Sequence, residues 1–156
     1  MSSNITTFNP QAATLLEMRS DPKRFPRLNT IPVEQAYSQM LPIITQAFMF
    51  KGHNADDTTV KFIATNLVDE LLADTKYGAG NISLGEIHKV IKRAILETDI
   101  PAISVSTLYR IIIDYAKGEG NDLERQIRQR KAIPSAPVGA MIDSFAGAMA
   151  KQNSIK

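Results

Sequence analysis

Asn81-Ile82-Ser83-Leu84-Gly85-Glu86-Ile87-His88-Lys89-Val90-Ile91-Lys92-Arg93-Ala94-Ile95 is the stretch from which the fold can be read. Ser83 and Glu86 stand at the capping-box spacing. The hydroxyl accepts from an orphan amide of the first turn, and the carboxylate reaches back to the cap's own N–H. Ile82 and Ile87 occupy the two positions of a hydrophobic staple. Beyond them Ile87, Val90, Ile91, Ala94 and Ile95 recur at three- and four-residue spacing, with Lys89, Lys92 and Arg93 on the opposite side. A helix therefore begins at Leu84, and its one apolar stripe needs other helices to cover it.

The flanking segments supply those helices. Towards the N-terminus, Gly78 and Gly80 close a helix expected over 57–75, started by Asp56-Asp57-Thr58 and striped by Val60, Ile63, Ala64, Leu67, Val68, Leu71 and Leu72. Before it, Val33, Ala36, Tyr37, Met40, Leu41, Ile44, Ala47 and Phe48 predict a core helix, with a kink or break at Pro42, where one backbone donor is missing. Asn9-Pro10 reads as the start of a short helix over 10–19, and residues 20–31, with Pro22 and Pro26, as an extended basic connector along the surface. Towards the C-terminus, Ser104 caps a helix carrying Val105, Leu108, Tyr109, Ile112 and Tyr115 or Ala116, which Gly118 stops. Residues 121–132 are charged and helical in pattern, Pro134-Ser135-Ala136-Pro137 reads as a linker, and Val138, Met141, Ile142, Phe145 and Met149 mark an amphipathic tail.

The expected fold is all-α, a single compact domain of about five or six helices. Its peripheral N-terminus and connector occupy residues 1–31, its helical core 32–132, and its linker-tethered tail 133–156. A chain of 156 residues with 44% apolar and 22% charged side chains has material for one core and is not a disordered composition. With no cysteine, disulfides, thiolate zinc sites and cysteine nucleophiles are excluded. Met1 to Ile5 lack the basic and apolar regions of an export signal, and no run is long enough to span a bilayer, so a cytoplasmic protein without membrane contact is expected.

Sites for chemistry are sparse. Thr75 to Glu86 has the glycine and terminal glutamate of a calcium loop, but Thr75, Tyr77 and Ala79 stand where oxygen ligands are needed. His53 and His88 lie on different elements, and no nucleophile elbow or phosphate-binding glycine loop is present. The expectation is a protein that is not an enzyme and carries no cofactor or metal.

The net charge of +2 does not by itself call for nucleic acid. The distribution is more telling: residues 51–82 are acidic, whereas Arg19, Lys23, Arg24 and Arg27, and again Arg125, Arg128, Arg130 and Lys131, form local basic groups able to touch phosphate. Ile103-Ser104-Val105-Ser106-Thr107-Leu108-Tyr109-Arg110 resembles the recognition helix of helix-turn-helix proteins, and with 82–95 before it the segment 82–112 resembles the helix pair of ferric-uptake-regulator-type winged helices. The resemblance implies that Ser104, Ser106, Thr107 and Arg110 face DNA while Lys89, Lys92 and Arg93 grip its backbone. No alternating strand follows where a wing would begin, and the regulators' metal ligands are missing. The layout as a whole is similar to small helical replication accessory proteins of phages and mobile elements. Two functions are thus expected: an accessory protein in DNA transactions, binding DNA or a replication protein through the 83–110 helix pair, or a protein-binding or assembly module using Met141, Ile142, Phe145 and Met149.

Overall fold

The computed structural model describes residues 13–132. Among them the regular elements are α1 (Leu15–Ser20), α2 (Val33–Phe50), α3 (Asp57–Ala73), α4 (Leu84–Glu97), α5 (Val105–Lys117) and α6 (Glu119–Ala132), with 3-10 turns at Leu28–Thr30 and Ala79–Asn81. No strand occurs among these residues, and the fold is all-α; a lone antiparallel bridge joins Arg27 to Ser83. By contacts the chain divides into two compact units, Met1–Leu123 and Glu124–Lys156. Of the second unit, residues 124–132 are described, and they are helical. The Asn9-Pro10 helix start, the proline linker and the tail residues Met141, Ile142, Phe145 and Met149 lie outside the described residues.

Within the first unit α4 is the central helix, packing on α1, α2 and α5, while α3 covers α2 and α5. The stripe of α3 is buried as the spacing requires, with Ala64, Leu67, Val68 and Leu71 fully enclosed. Asp56 caps α3 by accepting from the Thr59 amide at 2.7 Å, which holds its carboxyl below the usual carboxylate range. Tyr37 of α2 donates to Asp69 Oδ1 of α3 at 2.6 Å, tying the antiparallel pair at its polar edge. The α3 to α4 turn is organised by Asp74, whose carboxylate accepts from the amides of Tyr77 and Ala79, and by Gly78 at φ +69°, a conformation that side chains disfavour.

Three expectations need correction. Pro42 does not break its helix: α2 runs for 18 residues with Pro42 inside. The carbonyl left without its helical partner belongs to Ser38, and both residues are exposed, so the lost bond falls on the solvent side of the helix. The first helix does not run unbroken from 10 to 19, because Ala13 and Thr14 are non-helical and Thr14 caps α1, accepting from the Glu17 amide at 3.1 Å. The connector 20–31 is not a surface strap. Phe25 and Leu28 are core residues, and the Leu28 amide donates to the Ile82 carbonyl at 2.9 Å.

What draws α1 and the connector inward is a carboxylate. Glu86 completes the capping box, its Oε1 accepting from the Ser83 amide and hydroxyl, each at 3.1 Å, while the Glu86 amide donates to Ser83 Oγ at 3.2 Å. Its Oε2 accepts from Arg19 Nε at 3.0 Å and from the Tyr115 hydroxyl at 2.5 Å, with Arg19 Nη2 at 2.8 Å. Arg27 stands 3.8 Å from Oε1 and donates to the carbonyls of Asn81 and Arg19, each at 3.1 Å. Burial and the neighbouring Glu86 charge push the Tyr115 phenol far above its ordinary value, keeping it a proton donor. Burial alone would lower Arg19, but the charges and hydrogen bonds of Glu86 and Tyr115 outweigh it and raise its pKa. Arg19 and Arg27, read from the sequence as able to touch phosphate, are instead structural cations.

Gly120 belongs to this arrangement, since a Cβ there would lie 3.0 Å from the Tyr115 carbonyl oxygen and 3.3 Å from Arg19 Nη2. Removing the hub should be severe. Glu86→Ala strands a buried guanidinium and should cost about 3–5 kcal/mol, and Tyr115→Phe about 1.5–3 kcal/mol through loss of one bond to a charged acceptor. Urea unfolding of the purified variants measures both, and a Glu86→Ala loss below about 1 kcal/mol would contradict the burial described.

Candidate functional site

Two regions compete, both involving α4. The first is the start of α5 with the basic residues of α4, where the helix-turn-helix resemblance places a DNA contact. Ser104 caps α5, accepting from the Thr107 amide at 3.2 Å and donating to the Thr107 hydroxyl at 3.0 Å; Ser106 Oγ lies 3.3 Å away. Ser106 and Arg110 are exposed and Thr107 is half-buried. The connector from α4 to α5 takes seven residues, Thr98 to Ser104, against the roughly three or four of a helix-turn-helix turn. The basic residues of α4 also divide between two sides. Lys92 Nζ sits 5.4 Å from the Phe50 ring centroid, towards α2, whereas Arg93 pairs with Glu119 at 2.6 Å, towards α6. That hydrogen bond raises the Arg93 pKa further. The cleft between α4 and α5, about 380 Å³, is lined by the carboxylates of Glu97, Asp114 and Glu119 against the single cation Arg93. A phosphate backbone entering it would meet like charge. Arg125, Arg128, Arg130 and Lys131 occupy exposed positions of α6 in the second unit.

The second region lies on the other flank of α4. One open depression of about 300 Å³ is walled by the connector, α2 and the start of α4, through Arg24, Phe25, Ile31, Ile43 and Leu84. Another of about 300 Å³ continues along α4 past Lys89, Lys92 and Leu96. Gly85 and His88 line both, so they form one groove. Gly85 keeps it close to the core: a Cβ there would lie 3.2 Å from Phe25 Cδ1 and 3.3 Å from Met18 Sδ, tighter than ordinary contact. Leu96 is 59% exposed, a large apolar side chain on the polar side of an amphipathic helix.

His88 is half-buried at the junction, its Nε2 2.7 Å from Gln46 Oε1 of α2. Burial, then the charges of Lys92 and Lys89, lower its pKa below the ordinary 6.5. The neutral ring can then donate from Nε2 to the amide oxygen. Sequence reading missed this groove, because its walls come from three elements that only tertiary packing brings together. The one signal within a single element was the outward stripe Gly85, His88, Lys89, Lys92 and Leu96.

Among the described residues no group of three or more acidic, histidine or cysteine side chains is placed to hold a metal ion, and no described helix is long and apolar enough to cross a membrane. No protein-family model, curated protein or solved structure matches the chain.

The His88 environment sets a pH dependence. A depressed folded pKa means that the unfolded chain takes up the proton first, so this contribution to stability is present above about pH 6.5 and is lost as pH falls through the folded value. Proton NMR titration should place the His88 midpoint below 6.5, and His88→Gln should flatten the slope of stability against pH in that window. A midpoint at or above 6.5 would contradict the neutral, half-buried ring.

Proposed function

We propose that the chain is a non-enzymatic protein-binding module, and that its partner docks in the groove walled by α2, the connector and α4. The observation that carries this reading is the continuity of the two depressions across Gly85 and His88, where the half-buried Ile31 and Leu84 lie over the buried Phe25 and Ile43, with the exposed Leu96 at the far end. An open groove with an apolar floor and a few polar groups is a surface suited to specific binding. The groove offers binding surface without a paired acid and base or an activated nucleophile. A replication or assembly protein is the partner class that the layout resemblance suggests.

A second reading, DNA binding by α5, is favoured by the exposure of Ser106 and Arg110 in the first two turns of that helix. The seven-residue connector before α5 and the pairing of Arg93 with Glu119 weigh against it.

Photo-crosslinking separates the two. A crosslinking residue at Leu96 or Lys89, in the cells that make the protein, should trap one polypeptide that a control position at Thr59 does not. The purified chain should show no steep salt-dependent affinity for duplex or single-stranded DNA. Salt-steep DNA binding that is lost in Arg110→Ala and Arg128→Ala, with no crosslink from the groove, would overturn the protein-binding reading.

A further inference from the structure

Given the protein-binding reading above, the groove carries a titratable side chain where its two depressions meet. We infer that docking is proton-linked through His88: the partner seats on the neutral ring and is released as the ring takes up a proton. Position is the first argument. His88 lines both depressions, so an occupant that spans the groove covers it. In the free chain the ring is half-buried, and its remaining surface faces solvent.

Hydrogen bonding is the second argument. Nε2 lies 2.7 Å from Gln46 Oε1, an acceptor, so in the neutral ring the proton sits on Nε2 and Nδ1 is an acceptor. Protonation places a second N–H and a full charge on the ring. Beneath a docked partner that N–H loses access to water.

The surrounding charges are the third. The connector brings Arg24 to the groove and α4 brings Lys89, Lys92 and Arg93, while α2 contributes the uncharged Gln39 and Gln46. Lys92 lies over the Phe50 ring and Arg93 pairs with Glu119, yet the charges of Lys92 and Lys89 still act on His88. The one carboxylate among the lining residues is Glu97, about 13 Å further along α4 at 1.5 Å per residue. An imidazolium at this position is therefore stabilised by water, and a covering partner removes the water while the groove supplies no counter-charge.

The sign follows from burial. Burial, then Lys92 and Lys89, already hold the ring below its ordinary pKa, and a partner extends the same burial. Docking is strongest above the His88 midpoint of the free chain and weakens as pH falls through it. By linkage, the partner lowers that midpoint further.

The test uses the full chain with the crosslinking residue at Leu96, added at a series of concentrations and fixed ionic strength to a clarified lysate of the cells that make it. Half a pH unit below the free-chain His88 midpoint, about three-quarters of the rings are protonated, so apparent affinity should be about fourfold weaker than well above it. His88→Gln, which can still donate to Gln46, should abolish the difference. Circular dichroism and the amide resonances of α3 check the fold of that variant. In the purified crosslinked adduct, the His88 midpoint by NMR should lie below that of the free chain, with the exposed His53 as internal control. Docking that strengthens on acidification, an equal pH dependence in His88→Gln, or an unshifted His88 midpoint in the adduct would overturn the proton linkage while leaving the groove a protein site. No crosslink at either pH would overturn the linkage and the protein-binding reading together.

Discussion

The Glu86 carboxylate is the constraint on which the rest of the first unit depends. It has no exposed surface, and its two oxygens accept from Ser83, Arg19 and Tyr115 while Arg27 stands near. A single ionised group thereby joins the start of α4, the end of α1, the connector and the end of α5. Burying a carboxylate is unfavourable unless its lone pairs are filled, and here donors from separate segments must all arrive together. An apolar side chain at position 86 could contribute comparable stability through packing, but it would not require Arg19 and Tyr115 to take one geometry. The network acts chiefly by fixing position.

That fixing is what gives the groove its walls. Arg19 and Arg27 hold α1 and the connector against α4, and the connector carries Phe25, Ile31 and Arg24 to the groove's edge. Met18 and Phe25 then press on Gly85, the one position of α4 where no side chain intervenes. The inward face of α4 thus carries the anion that gathers the neighbours, and the outward face carries His88, Lys89 and Lys92, which give the groove its polar and cationic character. One helix both organises the unit and forms a wall of the groove.

Much of this was legible in the sequence wherever the signal is local. The capping box of Ser83 and Glu86, the α3 stripe from Val60 to Leu71 and the Ser104 cap all depend on residues a few positions apart, and they stand as the spacing implied. The errors came from long-range partners. Arg19 and Glu86 are 67 positions apart, and nothing local distinguishes a cation that will be buried from one that will face solvent. Prolines at 22 and 26 gave the connector the look of a strap, yet Phe25 and Leu28 between and after them are core. Pro42 failed as a breaker because its lost hydrogen bond falls on the exposed side of α2, where a backbone group need not be buried unpaired. For the candidate site, the cations of α4 were read correctly as cations, but a helical wheel cannot show that Lys92 leans over Phe50 while Arg93 turns to Glu119.

The split of those cations bears on function more than their number does. Three basic residues on one helical face look from sequence alone like a single phosphate-binding stripe. In the fold, Arg93 pairs with Glu119 in a cleft with two further carboxylates while also bordering the groove that Lys89 and Lys92 line beside Leu96. Lys92 and Arg93, adjacent in the chain, are thus turned about 100° apart around α4 and meet different neighbours.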